Sequence, residues 1–305
     1  MIVHAITCAR MSEIAREIAS QPECWRRASV AASEAGSLLP ASGERVAVVG
    51  CGTSWFVSQA YASRREAMGA GETDPFTASE MPDGRSYDRI VAISRSGTTT
   101  EVQHLLERIS RDRSTVAICG VDDTPVTTAA GAHVILGFAD ERSVVQTRFA
   151  TSALALLRSH LGEDIERVAD DGERVLATEL PFDAAAFDHF VFLGAGWTIG
   201  LANEAALKLR EAAGAWSESY PAMEYRHGPI SVARPGSAIW PIGDIEADLL
   251  EDAASTGATV VGSGVDGVDP MAELIAIQRT AVVIAEHRGL DPDHPRHLTR
   301  SVVLS

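Results

Sequence analysis

Three ionisable side chains that can move protons occur together on one predicted helix. Glu204, Lys208 and Glu211 are spaced by four and three residues, which places them on one face of an α-helix. Lys208 is the only lysine in the chain. The rest of the segment 201–213 is mostly apolar, so we expect this helix to be largely buried. A buried ammonium between carboxylates is typical of a functional site, whereas the same spacing on an exposed helix is an ordinary ion-pair stripe.

An imidazole follows this helix in the sequence Arg226-His227-Gly228-Pro229. The glycine and the proline predict a turn there, because neither continues a helix well. An acid, an amine and an imidazole that lie this close along the chain form a candidate set for acid–base catalysis.

A second group of residues is rich in hydroxyls. The loop 94–99, SRSGTT, follows the apolar run 90–93, and Thr53 and Ser54 follow the run 45–50. Where a parallel strand leads into a helix, free backbone N–H groups and the helix dipole favour an anion. Capping of the helix also favours serine and threonine, but one hydroxyl is enough for a cap. Four hydroxyls in six residues favour a phosphate site, and the absence of a GK[ST] sequence disfavours a nucleotide-hydrolysing P-loop.

Two glycine loops at predicted strand ends raise the alternative of a dinucleotide site. Trp55 follows Gly50-x-Gly52, and Ile199 follows Gly194-x-Gly196, at the positions where the third glycine of the fingerprint belongs. That glycine allows close packing of helix on strand. The spacing therefore disfavours a Rossmann-type NAD site.

Short apolar runs alternate with helical stretches along the whole chain. Runs at 45–50, 90–93, 115–119 and 133–138 predict buried parallel strands, and the helical segments include 10–35 and 147–161. After a charged segment, 162–188, the pattern restarts at 190–193. VVGCG at 48–52 and FLGAG at 192–196 hold the same place in the two halves, which indicates an internal duplication of an α/β unit.

Composition restricts the class of protein. The formal charge of −16 and the pI of about 4.9 argue against a nucleic-acid-binding face. Cys8, Cys24, Cys51 and Cys119 lack the spacing of a zinc site or of a disulfide framework. Neither a signal peptide nor an apolar run long enough to span a membrane is recognised, so we expect a cytoplasmic protein.

Several motifs resemble the sugar isomerase (SIS) domain family, in the order that the family has them. The closest pattern is the isomerase half of glucosamine-6-phosphate synthase and its single-chain relatives, the amino-sugar-phosphate isomerases, deaminases and deglycases. The motifs that carry this resemblance are CGTS at 51–54, ASE at 78–80, SRSGTT at 94–99, EAALKLRE at 204–211 and EYRHGP at 224–229.

The resemblance implies an α/β fold of two tandem SIS subdomains, each a parallel sheet flanked by helices in three layers. The expected division is an N-terminal subdomain over 1–165, a linker over 166–188 and a C-terminal subdomain with a catalytic tail over 189–305. It implies a phosphorylated sugar as substrate, and neither a cofactor nor a metal. A nucleic acid or membrane partner is not expected.

The resemblance also implies roles for individual residues. Glu211 matches the glutamate that moves a proton between C1 and C2, and Lys208 matches the lysine beside it. His227 matches the histidine assigned to ring opening, which reaches in from a neighbouring subunit, so a homodimer with shared active sites is expected. Gln146 falls near a family serine that contacts the sugar. The positions that match the sugar-phosphate cradle are Thr53, Ser54, Ser94, Arg95, Ser96 and Thr99.

Two departures from the family bear on the reaction. The chain begins Met-Ile-Val without room for a glutaminase domain, so glutamine-dependent amination is not expected. Arg300 stands where the synthases have a tail lysine, and a guanidinium does not form a Schiff base with a ketose. Arginine is a better partner for a carboxylate or a phosphate.

The predicted function is aldose–ketose isomerisation of a hexose 6-phosphate derivative, most simply an amino sugar, of the isomerase or deaminase type. One alternative is a fructosamine-6-phosphate deglycase. The other is a non-catalytic sugar-phosphate sensor, although a sensor does not need an acid, an amine and an imidazole together.

Overall fold

Two parallel β-sheets form the framework of the protein. The computed structural model describes residues 11–109 and 114–304; Cys8 and the start of the predicted first helix at residue 10 lie outside this range. The first sheet has the order β2-β1-β3-β4-β5, and the second has the order β7-β6-β8-β9. The strands are β1 Val46–Gly50, β2 Thr73–Thr77, β3 Arg89–Ser94, β4 Ser114–Cys119, β5 Ala132–Ile135, β6 His189–Gly194, β7 Trp216–Pro221, β8 Ser237–Ile242 and β9 Thr259–Val260.

The two sheets repeat one topology. In each, the first strand of the unit lies between the second and third strands, and all paired strands are parallel. β1 and β6, which end at the two glycine loops, therefore occupy the same place in the two halves. The predicted α/β class with two parallel sheets is confirmed.

Helices cover the sheets and connect the strands. They are α1 Glu13–Ala19, α2 Gln21–Ala35, α3 Thr53–Ala67, α4 Thr100–Arg108, α5 Pro125–Ala129, α6 Arg148–His160, α7 Ile165–Ala177, α8 Thr198–Ala213, α9 Ala247–Ser255 and α10 Pro270–His287. The predicted first helix over 10–35 is two helices in the described part of the chain, with Ser20 between them, just before Gln21-Pro22.

Alternate residues of the central strands face two different hydrophobic clusters. Val46 and Val48 of β1 join the large cluster that is shared by both halves, whereas Ala47 and Val49 join a smaller cluster on the opposite face. In β6, Phe190 faces the shared cluster and the next residue faces a third one. Each sheet is thus buried on both faces, which explains why its central strands are continuously apolar.

The segment predicted as a linker, 166–188, is largely helical. It contains most of α7, which packs against α2 and α10. Val168 and Val175 are buried in the shared core, and a Cβ at Gly172 would lie 2.8 Å from the Trp25 ring. The division of the chain into two subdomains at this segment stays a prediction.

Helices α3 and α8, which follow the two glycine loops, cross at very short distance. A Cβ at Gly200 would lie 2.5 Å from the backbone nitrogen of Ala60 and 2.6 Å from the carbonyl oxygen of Phe56. Only a glycine permits this approach. The crossing brings the face of α8 that carries Lys208, in the second half, to the beginning of α3 in the first half.

Among the described residues, no helix has the length and apolar character that a membrane span requires.

Candidate functional site

Lys208 is the centre of the site and joins the two halves of the molecule. Its side chain is 1% exposed. The ammonium Nζ donates to Thr53 Oγ1 at 3.0 Å, at the first residue of α3, and to Glu211 Oε2 at 2.5 Å. Glu204 Oε1 lies 3.4 Å from the same nitrogen. Burial lowers the pKa of Lys208, but the charges of the two glutamates outweigh it and raise the pKa, so the amine is an ammonium.

Glu204 is the most enclosed acid of this set, and the Lys208 ammonium lies 3.4 Å from its Oε1. Its residue is 2% exposed, and neither carboxylate oxygen has a hydrogen-bond partner among the described residues. Burial raises the pKa of Glu204 to about 7, although the charge of Lys208 opposes the rise. The pair of Glu204 and Lys208 is therefore buried, so the predicted set of an acid, an amine and an acid is not an exposed ion-pair stripe.

Glu211 is the accessible acid of the set. Its side chain is 22% exposed, whereas Lys208 and Glu204 are almost fully enclosed. It lines a cavity of about 700 Å³ between the end of α8 and the segment 288–297. A substrate can therefore reach the carboxylate of Glu211, with the Lys208 ammonium directly behind it.

The hydroxyl loop lies at the carboxyl end of β3. Ser94 and Ser96 are buried, and Ser94 Oγ donates a long hydrogen bond to Thr99 Oγ1 at 3.4 Å. Thr99 occupies the N-cap position of α4, but its side chain makes no capping hydrogen bond. Gly97 has a φ of +65°, and a Cβ there would collide with Thr124. The hydroxyls of this loop are therefore not used as a cap, which favours the anion site over the capping interpretation.

The C-terminal segment crosses over this loop. Ser301 Oγ accepts hydrogen bonds from Ser96 Oγ at 3.1 Å and from Thr98 Oγ1 at 3.0 Å. The backbone N–H of Thr100, in the first turn of α4, donates to the carbonyl of Val302 at 3.2 Å. Neither Thr98 nor Ser301 was predicted as a site residue. The run SGTT already contained the first hydroxyl, but no local pattern indicates which residue of the tail meets it.

Arg95, predicted as part of the cradle, ties three segments together. It is 2% exposed, and its guanidinium donates to the carbonyls of Ser143, Val144 and Arg300 at 3.0, 3.1 and 2.8 Å. The buried carboxylate of Glu141 lies 3.6 Å away. Among the described residues, these are its polar contacts, so Arg95 holds the loop after β5 and the tail beside the hydroxyl loop.

Arg300, the residue in place of the family's tail lysine, is also held by that loop. Its guanidinium lies 2.5 Å from Asp140 Oδ1 and donates to the carbonyl of Glu141. The guanidinium of Arg300 was predicted to be able to bind a carboxylate or a phosphate. In the structure it is already paired with Asp140.

The remaining predicted residues differ in accessibility. Ser54 is buried in the first turn of α3, where its carbonyl accepts from Ser58 Oγ at 2.8 Å. Gln146 is half-buried before α6, and its amide oxygen is enclosed without a hydrogen-bond partner among the described residues. His227 is exposed in the short 3-10 helix Ala222–His227. Within a single chain, no described hydrogen bond or ion pair joins His227 to Lys208, whose partners are Thr53 and the two glutamates.

Comparison with known sequences finds relatives that include isomerising aminotransferases. No family model matches the chain. The glutamine–fructose-6-phosphate aminotransferase (isomerizing) of Methanothermobacter thermautotrophicus is 28% identical over 305 residues, which cover 86% of this chain and 52% of that protein. The enzyme of the same name from Pseudomonas aeruginosa is 27% identical over 318 residues, covering 85% and 51%. The chain thus spans about half the length of the curated relatives it matches.

Solved structures agree with the sequence comparison. A glucosamine-6-phosphate deaminase from Thermotoga maritima superposes with a TM-score of 0.77 at 25% identity, over 96% of this chain and all of that one. The C-terminal domain of a glucosamine-fructose-6-phosphate aminotransferase from Francisella tularensis has the same fold, with a TM-score of 0.77, 19% identity and coverage of 95% and 100%. The resemblance to the sugar isomerase (SIS) domain family that the motifs predict is therefore confirmed, in sequence by the first group of relatives and in fold by the second.

Proposed function

We propose that this protein is an enzyme that isomerises a hexose 6-phosphate derivative between its aldose and ketose forms, with an amino sugar as the simplest substrate. The observation that carries the proposal is the buried Lys208, which holds Glu211 at 2.5 Å and donates to Thr53 at 3.0 Å. The names of the relatives, a deaminase and isomerising aminotransferases among them, support the same class of substrate.

The phosphate is proposed to bind at the carboxyl end of β3. Ser94, Ser96 and Thr98 supply hydroxyl donors, and the first turn of α4 supplies backbone N–H groups and the positive end of the helix dipole. Ser301 now accepts hydrogen bonds from Ser96 and Thr98. A phosphate oxygen would accept these bonds in its place.

Proton transfer is assigned to Glu211. Its carboxylate takes the proton from C2 of the open-chain aldose, and the electron pair of that C–H bond moves to give an enediolate with negative charge on O1. The Lys208 ammonium stabilises that charge. The proton of the C2 hydroxyl passes to O1, so that the negative charge moves to O2. Glu211 then returns its proton to C1, the charge on O2 collapses to a carbonyl at C2, and the product is the ketose. Glu204 and Thr53 fix the position of the ammonium.

The decisive experiment compares Glu211→Gln with Glu251→Gln, an exposed glutamate on α9. The first variant should lose exchange of the C2 hydrogen with deuterated solvent and still bind sugar phosphate, because only the proton acceptor is removed. The second should behave as wild type. Normal exchange in Glu211→Gln would falsify the assignment.

A panel of hexose 6-phosphates, amino-sugar phosphates and fructosamine-type adducts identifies the reaction. Exchange without loss of the amine indicates an isomerase, and exchange with loss indicates a deaminase or a deglycase. Binding of a sugar phosphate without exchange of any compound would favour the sensor over the enzyme.

A homodimer is part of the proposal. His227 is exposed, and Met223 and Val232 around it are exposed apolar side chains, 47% and 44% accessible. We assign His227 to the site of a partner subunit, where it opens the sugar ring. A mixture of inactive His227→Asn and Glu211→Gln chains should then regain activity, because a mixed dimer contains one complete site. Sedimentation of an active monomer would contradict this arrangement.

A further inference from the structure

The C-terminal part of the chain fills the site proposed for the phosphate. Ser301 Oγ lies 3.1 Å from Ser96 Oγ and 3.0 Å from Thr98 Oγ1. The carbonyl of Val302 accepts the backbone N–H of Thr100, the first residue of α4, at 3.2 Å. Residues 301 and 302 thus use two hydroxyls of the hydroxyl loop and one N–H group of the helix N-terminus. These are groups that the proposed phosphate also needs.

Arg300 anchors the residues that follow it, 301–304, which are called here the tail segment. The carbonyl of Arg300 accepts from the guanidinium of Arg95 at 2.8 Å, and its own guanidinium lies 2.5 Å from Asp140 Oδ1. Neither contact uses a hydroxyl of the hydroxyl loop. The tail segment is held separately, by the bonds of Ser301 and Val302 and by the backbone N–H of Leu304, which donates to Thr100 Oγ1 at 2.9 Å. The tail segment can therefore leave the loop while the anchor keeps its contacts.

Little apolar burial holds the tail segment in place. Val302, Val303 and Leu304 are 52%, 68% and 59% exposed. Hydrophobic stabilisation grows with the apolar area that is removed from water, so these side chains contribute little of it. The hydrogen bonds of the tail segment are also weak in net terms, because water replaces them when the segment leaves. A ligand that offers better acceptors at this position can displace it.

A phosphate is such a ligand. Its oxygens accept hydrogen bonds from hydroxyls and backbone N–H groups, as the Ser301 hydroxyl and the Val302 carbonyl do here. They also carry negative charge, and charge-assisted hydrogen bonds are shorter and stronger than neutral ones. The positive end of the α4 dipole favours this charge. The side chains of the tail segment, Ser-Val-Val-Leu, bring no charge to the same position.

From this geometry we infer that the tail segment is an internal competitor of the substrate's phosphate. It occupies the hydroxyl loop in the free protein and is displaced when a phosphorylated sugar binds, while Arg300 stays in place as the anchor. This inference rests on the proposed function and adds a regulation of the same site. The apparent affinity of a ligand falls in proportion to the fraction of protein whose site is open. The tail segment therefore sets the concentration of sugar phosphate at which the site fills.

The test measures the Kd of inorganic phosphate by calorimetry, because binding of this probe needs no turnover. The double variant Ser301→Ala/Leu304→Pro removes the hydroxyl of Ser301 and the N–H donor of Leu304 without a change of charge. We expect it to bind phosphate about tenfold more tightly than wild type, since two hydrogen bonds of the competitor are lost. Ser301→Ala alone should give a smaller gain, about threefold. Leu304→Ala is the matched control, because it keeps the N–H group and changes only an exposed side chain. It should bind phosphate as wild type does.

Hydrogen exchange of wild type reports the displacement itself. In the free protein, the amide of Leu304 is hydrogen-bonded to Thr100, and the amide of Gly120 to the carbonyl of Arg95. Saturating phosphate should make the Leu304 amide exchange at least about tenfold faster, because its hydrogen bond is broken. The Gly120 amide is the internal control and should exchange at its original rate.

Equal or weaker binding of phosphate to the double variant would overturn the inference, since a tail segment that closes over the ligand adds contacts and does not compete. Unchanged exchange of the Leu304 amide at saturating phosphate would overturn it as well. Failure of the proposed function gives a different result. If neither wild type nor the double variant binds phosphate, the phosphate site itself is wrong, and the inference with it. A lack of isomerisation leaves the comparison of Kd values decisive.

Discussion

In each of the two sheets, the carboxyl ends of the parallel strands lie along one edge. These edges, called here the first edge (β1–β5) and the second edge (β6–β9), have the same topology and different chemistry. At the first edge, Thr53 follows the glycine loop of β1 and accepts a hydrogen bond from Lys208. At the second, Trp197 takes the corresponding place after β6, and the guanidiniums of Arg158 and Arg64 lie 4.8 and 5.7 Å from its ring. The hydroxyl of Thr198 accepts from the backbone N–H of Ala195 in its own loop at 2.8 Å and donates to the carbonyl of Ile242, the last residue of β8, at 2.7 Å.

The charges of the two edges differ as well. A cavity of about 780 Å³ lies at the second edge, and its lining contains more carboxylates than arginines. Arg158, 2% exposed, is paired there with Asp269 at 2.7 Å and Glu163 at 2.8 Å. An anion is disfavoured at such an edge, whereas the first edge offers a helix N-terminus and a hydroxyl loop whose Ser96 and Thr98 bond to Ser301 of the tail. A repeated fold supplies two equivalent ligand positions, and under the proposed function the side chains decide which of them binds the sugar phosphate.

Removal of Lys208 should have the largest effect, because that side chain makes the first edge reactive. Lys208→Met leaves two glutamates without their cation and the enediolate without its stabilising charge. We expect turnover to fall by at least about 10²-fold and the free energy of unfolding to fall by about 3 kcal/mol. Kinetics and urea denaturation measure both. Arg167→Met, at an exposed arginine of α7, is the control, and its free energy of unfolding should change by no more than about 0.5 kcal/mol. Near-normal turnover of Lys208→Met would show that Lys208 does not distinguish the first edge from the second.

Substitution of one buried arginine at each edge tests whether only the first edge binds the sugar phosphate. Arg95→Gln and Arg158→Gln each remove a buried cation, so each should destabilise the protein by about 3 kcal/mol. Only Arg95→Gln should also raise KM for the sugar phosphate, because Arg95 holds the tail and the loop after β5 beside the cradle. An equal increase of KM in both variants would mean that the effect is general destabilisation.

The pH dependence of stability should report the buried acid of the first edge. The pKa of Glu204 rises from 4.5 in the unfolded chain to about 7, so the folded protein binds its proton more tightly. This contribution is fully present below pH 4.5 and is lost as the pH rises through 7. Relative to Glu204→Gln, wild type should lose on the order of 3 kcal/mol of unfolding free energy between about pH 5 and about pH 8. Parallel pH profiles for the two proteins would contradict the raised pKa.

The smallest effect is expected at the helix crossing that joins the two halves. Gly200→Ala places a methyl group against the backbone of Ala60 and should cost about 1–3 kcal/mol. It should also lower turnover, because α8 carries Lys208 toward Thr53. Gly84→Ala has open space around the new Cβ and should be neutral in denaturation and in kinetics.

Much of the fold followed from local patterns, and the two strands that were missed share one cause. The central strands are apolar on both faces and were predicted, but β2 and β7 were not. These two are edge strands, TDPFT and WSESYP, and each is partly exposed, so they lack the continuous apolar run of a buried strand. The helical face of Lys208 followed from spacing alone, since positions three and four apart share a face.

The sequence by itself determined which groups can act: one lysine between two glutamates, a hydroxyl loop after β3, and two repeated α/β units. The tertiary structure decided their partners. It placed Lys208 against Thr53 across the two halves, committed Arg95 and Arg300 to the loop after β5, and brought Arg288 and Arg296 into the lining of the cavity that Glu211 also lines. Spacing along one helix is local, whereas these contacts join residues far apart in the chain. They depend on how closely α3 and α8 approach and on how residues 300–302 lie against the hydroxyl loop.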